Sequence, residues 1–232
     1  SWGQETEDSG PRPGSGGDLV GYASIHHPTI GRDGMVVAQN RIAASIGAEI
    51  LRKGGNAVDA AVAVGIAEAL TLPRAGNLGG GGYMLVYSAA DQKTTAIEYY
   101  GEAPRGVTPD LLLGAGGKLD QAKTMTFKGV TTPGTVAGLW EAHRRFGRLK
   151  WAELIQPTID LATRGVILSD DEATTLAGRK AQMAKDPNGA YRLFFRKDGI
   201  PYQPGDLFRN PDLAWTLRQI GSHLYGVSSL EF

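Results

Sequence analysis

Apolar side chains recur at helical spacing in the first third of the chain. Ile42, Ile46 and Ile50 are four residues apart, which predicts an amphipathic helix over residues 40–53. The pair of glycines at 54–55 follows the last turn of that helix. Glycine readily takes the left-handed conformation that closes a helix, so we expect the helix to end there.

The next segment, residues 57–70, is apolar on every side except at Asp59 and Glu68. A helix that is apolar all round is a buried one. Asn56 provides an N-cap, and Asp59 three residues later completes a capping-box pattern. Pro73 predicts the end of this helix, because proline cannot continue it.

The pattern changes from helices to strands around the glycine run at 79–82. Residues 34–38 predict a short buried strand. Residues 83–87 and 94–100 predict two strands of a hairpin that turns at 90–92. Further helices are predicted over 135–146, 151–163, 170–184 and 211–220. The fold class is therefore mixed α/β (α+β), with long helices packed beside at least one hairpin.

Composition narrows the classes of function. The 232 residues carry 24 Lys and Arg against 24 Asp and Glu, which argues against a nucleic-acid binder with its basic surface. The chain has no cysteine, which excludes disulfides, thiolate metal sites and cysteine nucleophiles. The longest uncharged apolar stretch, 60–67, is far shorter than the ~20 residues of a membrane span. No membrane span is expected.

Individual residues do not form a complete catalytic or metal-binding set. His26 and His27 are neighbours that point different ways, and no metal site or cofactor is predicted. The glycine run lacks the lysine and the following helix of a phosphate loop. The acidic run at 170–172 is typical of a helix N-terminus. The pair Tyr99–Tyr100 ends a strand beside an irregular loop, where a packing role and a ligand-binding role both stay open.

Three motifs identify a resemblance. They are Arg-Lys-Gly-Gly-Asn-Ala-Val-Asp-Ala-Ala at 52–61, Asn-Leu-Gly-Gly-Gly-Gly at 77–82 and Val-Thr-Thr-Pro-Gly-Thr-Val-Ala-Gly at 130–138. Together with the sequence around them, they resemble the large subunit of the γ-glutamyltranspeptidases over about residues 33–225. A cephalosporin-acylase-like member is included in that resemblance.

The resemblance implies an N-terminal-nucleophile hydrolase fold, an αββα sandwich of which this chain is an incomplete large-subunit part. Members of the family are precursors that cleave themselves into two subunits. The first residue of the small subunit is a threonine that attacks γ-glutamyl amides such as glutathione. The partners implied are a small subunit from the same precursor and an amide substrate. No catalytic nucleophile is expected in this chain, which is predicted to be inactive alone.

Two residues are candidates for substrate binding. The family places an arginine, which holds the carboxylate of the donor, at the strand end before its Glu-x-Ala-Pro segment. Tyr100 occupies that position here, and Arg105 lies beyond Pro104. A related acylase for other amides, such as glutaryl amides, is therefore an alternative to a γ-glutamyl enzyme. A catalytically inactive fragment is another.

The ends of the chain differ from its middle. Residues 1–21 are largely polar and rich in glycine, proline and serine, which predicts a flexible tail. Residues 22–226 are expected to form the partial γ-glutamyltranspeptidase-like domain. Residues 227–232 do not follow the family pattern and are expected to be a non-native or truncated end. The first residue is serine, which predicts a trimmed N-terminus and favours a periplasmic or secreted location.

Overall fold

A computed structural model describes residues 30–124, 126–185 and 189–223. The predicted tail at 1–21, the predicted end at 227–232 and the pair His26 and His27 lie outside these residues. The chain divides into two compact units at Met35. Within the first unit, residues 30–35 form neither helix nor strand. The second unit contains all the elements described below.

Helix α1, Arg41–Arg52, lies within the predicted residues 40–53, and its N-cap at Asn40 was not predicted. The Asn40 side chain accepts a hydrogen bond from the backbone N–H of Ile42 at 2.8 Å. Ile46 and Ile50 are buried on one face, as the spacing predicts. The helix closes at Lys53, and Gly54 follows with φ of 92°, a conformation in which glycine carries no steric penalty.

Helix α2, Ala57–Thr71, is the centre of the second unit. It packs against α1 and against two later helices, α4 (Thr135–Phe146) and α5 (Trp151–Arg164). Most of its circumference is buried, including Val58, Val62, Ala63, Ile66, Ala67 and Leu70, whereas Ala57 and Ala61 are exposed on the remaining face. The sequence prediction of a buried helix is confirmed except for this face.

Asp59 connects the start of α2 to a distant turn. Its carboxylate is fully buried and accepts hydrogen bonds from the backbone N–H of Asn56 at 2.9 Å and of Arg148 at 3.1 Å. The first bond completes the predicted capping box. The second bond holds the turn after α4. Gly147 of that turn lies so close to the same carboxylate that an added Cβ would be 2.9 Å from it. A buried carboxylate needs such donors, because desolvation without them is costly.

Strands β1, Tyr83–Ser88, and β2, Lys93–Glu98, form the predicted antiparallel hairpin. Tyr83 lies opposite Glu98, and Ser88 lies opposite Lys93. β2 packs against α4. Alternate β1 residues are half-buried, while Tyr83, Leu85 and Tyr87 are exposed on the other face. β2 ends two residues earlier than predicted.

The strand predicted at residues 34–38 is wrong. Within the described part of the chain, these residues pair with no other strand. Their apolar pattern suits a strand, but a strand forms only where a neighbour completes its hydrogen bonds. Conversely, the structure contains a short antiparallel ladder that was not predicted. It pairs β3, Val166–Ile167, with β4, Leu207–Phe208. Two residues are too few to give a periodic signal.

The remaining helices follow the prediction with one break. Residues 170–184 form α6, Asp170–Gly178, and α7, Lys180–Met183, because the chain leaves helical geometry at Arg179. Helix α9, Pro211–His223, packs on α5. The other short elements are α3, Gln121–Thr124, α8, Ala190–Phe194, and single 3-10 turns at Ala115–Gly117 and Phe127–Gly129.

The predicted mixture of helices and strands is confirmed. The part of the chain that the structure describes contains a helical layer with one hairpin against it, and the second sheet of a sandwich is not among these residues. None of the described helices is long and apolar enough to cross a membrane.

Candidate functional site

The glycine run at 79–82 lies where three segments of the chain meet. The backbone N–H groups of Gly134 and Thr135 both donate to the carbonyl of Gly80, at 2.8 and 3.1 Å. Gly82 and Tyr99 exchange two backbone hydrogen bonds of 2.9 and 3.3 Å. The run therefore joins the start of α4 to the end of the hairpin. We call this meeting point of residues 79–82, 99–102 and 131–135 the glycine junction.

The glycine junction is too tight for side chains. A Cβ on Gly81 would lie 2.5 Å from the carbonyl oxygen of Tyr99, and a Cβ on Gly134 would collide with the same oxygen. Strand β1, not a helix, follows the run directly, and the N–H groups of Gly134 and Thr135 at the start of α4 already donate to the Gly80 carbonyl. The geometry agrees with the sequence interpretation of a tight turn.

The chain beyond Tyr100 is also held down at this junction. Glu102 and Thr132 exchange backbone hydrogen bonds of 2.8 and 3.2 Å. Gly101 packs so closely against Thr131 that a side chain at position 101 would collide with the Thr131 hydroxyl. Tyr100 is consequently anchored by its backbone neighbours on both sides.

Tyr99 and Tyr100 have opposite environments. Tyr99 is half-buried and its ring covers Gly138 of α4, where a Cβ would overlap the ring. Burial raises the pKa of the Tyr99 hydroxyl. Tyr100 is 61% exposed, and its ring stacks on that of Tyr83 with centroids 5.8 Å apart and planes inclined by 19°. Tyr99 therefore serves packing, and Tyr100 is available to a ligand.

Arg105 lies in an exposed turn after Pro104. The backbone N–H of Val107 donates to the Pro104 carbonyl at 3.0 Å and closes this turn. Within residues 30–124, 126–185 and 189–223, the Arg105 side chain has no hydrogen bond or ion pair, and no hydrogen bond or ring interaction joins it to Tyr100. The two predicted substrate-binding residues share a segment without such an interaction.

Two carboxylates lie near the tyrosine pair. Glu98 is exposed and directly opposite Tyr83 in the hairpin register. Glu102 is exposed two residues after Tyr100. Among the described residues, no group of three or more histidines, cysteines or acids is placed to hold a metal ion.

The acidic run at 170–172 has a second role besides the predicted helix N-terminus. Glu172 is buried, and its Oε1 accepts a hydrogen bond from Arg74 Nε at 2.7 Å. Asp171 pairs with the same guanidinium. Arg74 lies shortly before the glycine run, so this pair fastens the loop leading to the glycine junction onto α6.

Sequence reasoning missed Tyr83. The residue follows the glycines directly and carries no motif of its own. Its position opposite Glu98, which places it beside Tyr100, follows only from the hairpin register. A turn fixed at residues 89–92 would have supplied that register.

Comparison with known proteins gives the family. Residues 43–227 match the family model described as gamma-glutamyltranspeptidase. The chain belongs to this family. It is 38% identical over 202 residues to the glutathione hydrolase proenzyme of Pseudomonas sp. (strain A14), a match that covers 87% of this chain and 35% of that protein. The chain thus spans about a third of the length of the curated relatives it matches.

Solved structures of the family superpose on this chain. The crystal structure of Helicobacter pylori gamma-glutamyltranspeptidase matches with a TM-score of 0.81 and 34% identity, over 85% of this chain and 56% of that one. A cephalosporin acylase from Bacillus halodurans matches with a TM-score of 0.69 and 25% identity, over 88% of this chain and 40% of that one. The resemblance stated from the motifs is confirmed, as is the family's mixed fold.

Proposed function

We propose that this chain is the large-subunit part of an enzyme that transfers or hydrolyses γ-glutamyl groups of glutathione-type amides. The observation that carries the proposal is the family match over residues 43–227, which includes the whole glycine junction. The name of the Pseudomonas relative, a glutathione hydrolase proenzyme, supports the substrate class.

In this proposal the nucleophile is an N-terminal threonine outside this chain. Its hydroxyl oxygen attacks the amide carbonyl carbon, and its own α-amine accepts the hydroxyl proton. The C–N bond then breaks, the departing amine takes the proton, and an acyl ester remains on the threonine. Water or an amino acid finally accepts the acyl group. This chain contributes the surface that holds the acyl group, with Tyr100 and Arg105 as its substrate-binding residues.

The proposed partner is a small subunit from the same precursor. Leu85 is 75% exposed on the open face of the hairpin, between the equally open Tyr83 and Tyr87. A two-stranded hairpin is marginal alone and gains stability from further strands or a covering layer. A second sheet laid on this face would complete the sandwich that the family resemblance implies. A periplasmic or secreted location stays a prediction.

Turnover of γ-glutamyl p-nitroanilide tests the proposal. The pure 232-residue chain is expected to release no nitroaniline above the blank. The complete processed enzyme is expected to release it, and the same enzyme with its N-terminal threonine replaced by alanine serves as the control. Turnover by the chain alone would contradict the proposal that the nucleophile lies outside it. No turnover by the complete enzyme would instead support the alternative of a catalytically inactive fragment.

A second candidate is an acylase for amides without the γ-glutamyl head, such as glutaryl amides. Tyr100 weakens the hold on a donor carboxylate, because a tyrosine hydroxyl donates one uncharged hydrogen bond where arginine offers a charged fork. A glutaryl head keeps that carboxylate and lacks only the α-amine, so the exchange at position 100 affects both classes alike. The acylase from Bacillus halodurans among the structural matches supports the second candidate.

On the complete enzyme, the ratio of kcat/KM for the γ-glutamyl and glutaryl anilides separates the two candidates, because these donors differ only in the α-amine. Tyr100→Arg is expected to raise kcat/KM for the γ-glutamyl anilide by about ten- to a hundredfold relative to a butyryl anilide, which lacks the carboxylate, at 1.4 kcal/mol per decade. A wild-type enzyme that already prefers the γ-glutamyl anilide over the butyryl anilide, and loses that preference in Arg105→Ala, would make Arg105 the carboxylate-binding residue instead.

A further inference from the structure

We propose that a cleft between the start of α1 and the start of α6 binds a free amino acid with an aliphatic side chain. Residues 39–42, Leu72, residues 167–169 and the acidic pair at 171–172 line this α1–α6 cleft, which has a volume of about 440 Å³. Its lining does not include Tyr100 or Arg105, so the amino acid is a ligand other than the acyl donor proposed above.

The negative end of the α1–α6 cleft is a carboxylate with one unused oxygen. Glu172 is 2% exposed, and its Oε1 accepts the hydrogen bond from Arg74 Nε at 2.7 Å. Its Oε2 is buried and has no hydrogen-bond partner within the described part of the chain. Asp171 pairs with the same guanidinium, so two carboxylates share one cation. Because a buried carboxylate oxygen without a donor is costly, this end favours a ligand that brings an ammonium group.

The positive end is the N-terminus of α1. The first turn of this 12-residue helix contains no acidic residue, so no carboxylate of its own balances the partial positive charge of the helix dipole. Arg41 is exposed on this turn and lines the cleft. Among the described residues, its side chain has neither an ion pair nor a hydrogen bond. An unpaired guanidinium is suited to hold a carboxylate through two parallel hydrogen bonds.

Apolar side chains supply much of the remaining lining. Leu72 and Leu168 are buried, Ile42 is half-buried and Ile167 is 58% exposed. An aliphatic group bound against them would lose its contact with water, which contributes roughly 25 cal/mol for each Å² buried.

These three features match the three parts of one ligand. The ammonium group donates to Glu172 Oε2, the carboxylate accepts from Arg41 and from the first turn of α1, and the aliphatic side chain packs on the isoleucines. A ligand with one charge alone would leave either Glu172 or Arg41 without a partner. The α1–α6 cleft therefore selects a zwitterion over a simple amine or a simple acid.

Calorimetry on the 232-residue chain tests the charge requirement with three matched probes. They are L-leucine, 3-methylbutylamine, which lacks its carboxylate, and 4-methylpentanoate, which lacks its ammonium group. Leucine is expected to bind about ten- to a hundredfold more tightly than either analogue, because each analogue loses a charge-assisted interaction. Absence of leucine binding, or equal binding of leucine and one analogue, would overturn the proposal.

Two substitutions locate the binding. Arg41→Gln should weaken leucine about ten- to a hundredfold and leave 3-methylbutylamine unchanged. Glu172→Gln keeps an oxygen for Arg74 and should weaken both leucine and the amine. Arg52→Gln is the matched control, because Arg52 is an exposed arginine at the other end of α1. If Glu172→Gln does not fold, Arg41→Gln decides alone: leucine binding that it leaves unchanged, or that Arg52→Gln weakens equally, overturns the proposal.

The complete processed enzyme, with its N-terminal threonine replaced by alanine, tests the other possible occupant of the cleft. A basic side chain from the rest of the precursor could supply the donor to Glu172 instead of a free amino acid. Leucine binding that depends on Arg41 in the complete enzyme supports the amino-acid site. Leucine binding that depends on Arg41 only in the 232-residue chain would overturn it, because the rest of the precursor then fills the cleft.

Discussion

Helix α2 and the β1–β2 hairpin are both apolar, but they are covered to different degrees. α2 packs against α1, α4 and α5, so most of its circumference is buried. The hairpin is covered by α4 on one face only and exposes Leu85 on the other. The helical layer thus completes its packing within this chain. The sheet leaves apolar surface open beside the residues proposed to bind substrate, so stability and recognition are located in different parts of the molecule.

The largest expected effect is on stability, and it tests that division directly. Leu70→Ala in α2 should lower the free energy of unfolding by about 2–5 kcal/mol, because Leu70 is 1% exposed and the change leaves a cavity. The matched change Leu85→Ala in β1 should cost less than about 0.5 kcal/mol. Urea unfolding of the chain measures both. Equal losses would show that the hairpin face is covered in solution.

The next largest effect on stability concerns the hydrogen bonds that the buried Asp59 carboxylate accepts. Asp59→Ala removes the acceptor of the Asn56 and Arg148 N–H groups and should cost about 2–3 kcal/mol, because buried donors are left unsatisfied. Asp91→Ala is the control in the hairpin turn, where the carboxylate is exposed and bonds only locally to Ser88. Its expected cost is below about 0.5 kcal/mol. Similar losses of stability in the two variants would contradict the expected difference between the buried and the exposed carboxylate.

A third prediction addresses the open sheet face. The isolated chain should bind a hydrophobic dye and associate, because contiguous exposed apolar surface drives both. Leu85→Lys combined with Tyr87→Lys should lower dye fluorescence by about half and raise the monomer fraction in size-exclusion chromatography. The reference is Trp215→Lys, which removes an exposed aromatic residue from α9. If Trp215→Lys lowers association as much as the double variant does, the open face of the hairpin is not the surface through which the chain associates.

The smallest effects are on the pH dependence of stability. Burial raises the pKa of Glu68 above 4.5, so the folded state holds this proton more tightly than the unfolded state. Its contribution to stability therefore falls as pH rises from 4.5 through the raised pKa, and Glu68→Gln should flatten that fall.

Glu141 should show the opposite sign. The hydrogen bond from Arg144 lowers the pKa of Glu141, so its contribution is present above pH 4.5 and is lost as pH falls through the lowered value. Because this pair is exposed, Glu141→Gln should cost no more than about 0.5 kcal/mol at neutral pH. Urea titrations across pH 3–7 compare the two variants, and slopes of the same sign would contradict the pair of predictions.

Local signals explain which elements could be predicted. α1 and α2 were placed within one or two residues, because the apolar spacing, the glycine pair after α1 and the cap of α2 at Asn56 are local signals that span only a few residues of sequence. The strand at 34–38 failed because pairing depends on a distant partner. The single helix predicted over 170–184 was wrong at Arg179, because neither a proline nor a glycine pair marks the break in the sequence.

The candidate site divides in the same way. Tyr100 was found from its place in a motif, and its exposure and anchoring agree with a binding role, which stays a prediction together with that of Arg105. Its ring partner Tyr83 could not be predicted, because the stack arises from the register of two strands. Nor could Glu172, whose bond to Arg74 spans 98 residues.

The packing of Tyr99 has a consequence for how this sequence can change over generations. A Cβ at Gly138 would collide with the Cβ of Tyr99, an atom that every residue except glycine has. A smaller side chain at position 99 therefore makes no room for alanine at position 138. Gly81 and Gly134 face the main-chain carbonyl of Tyr99, which every amino acid possesses. No compensating substitution at position 99 releases these two glycines, because they are fixed by the path of the chain itself.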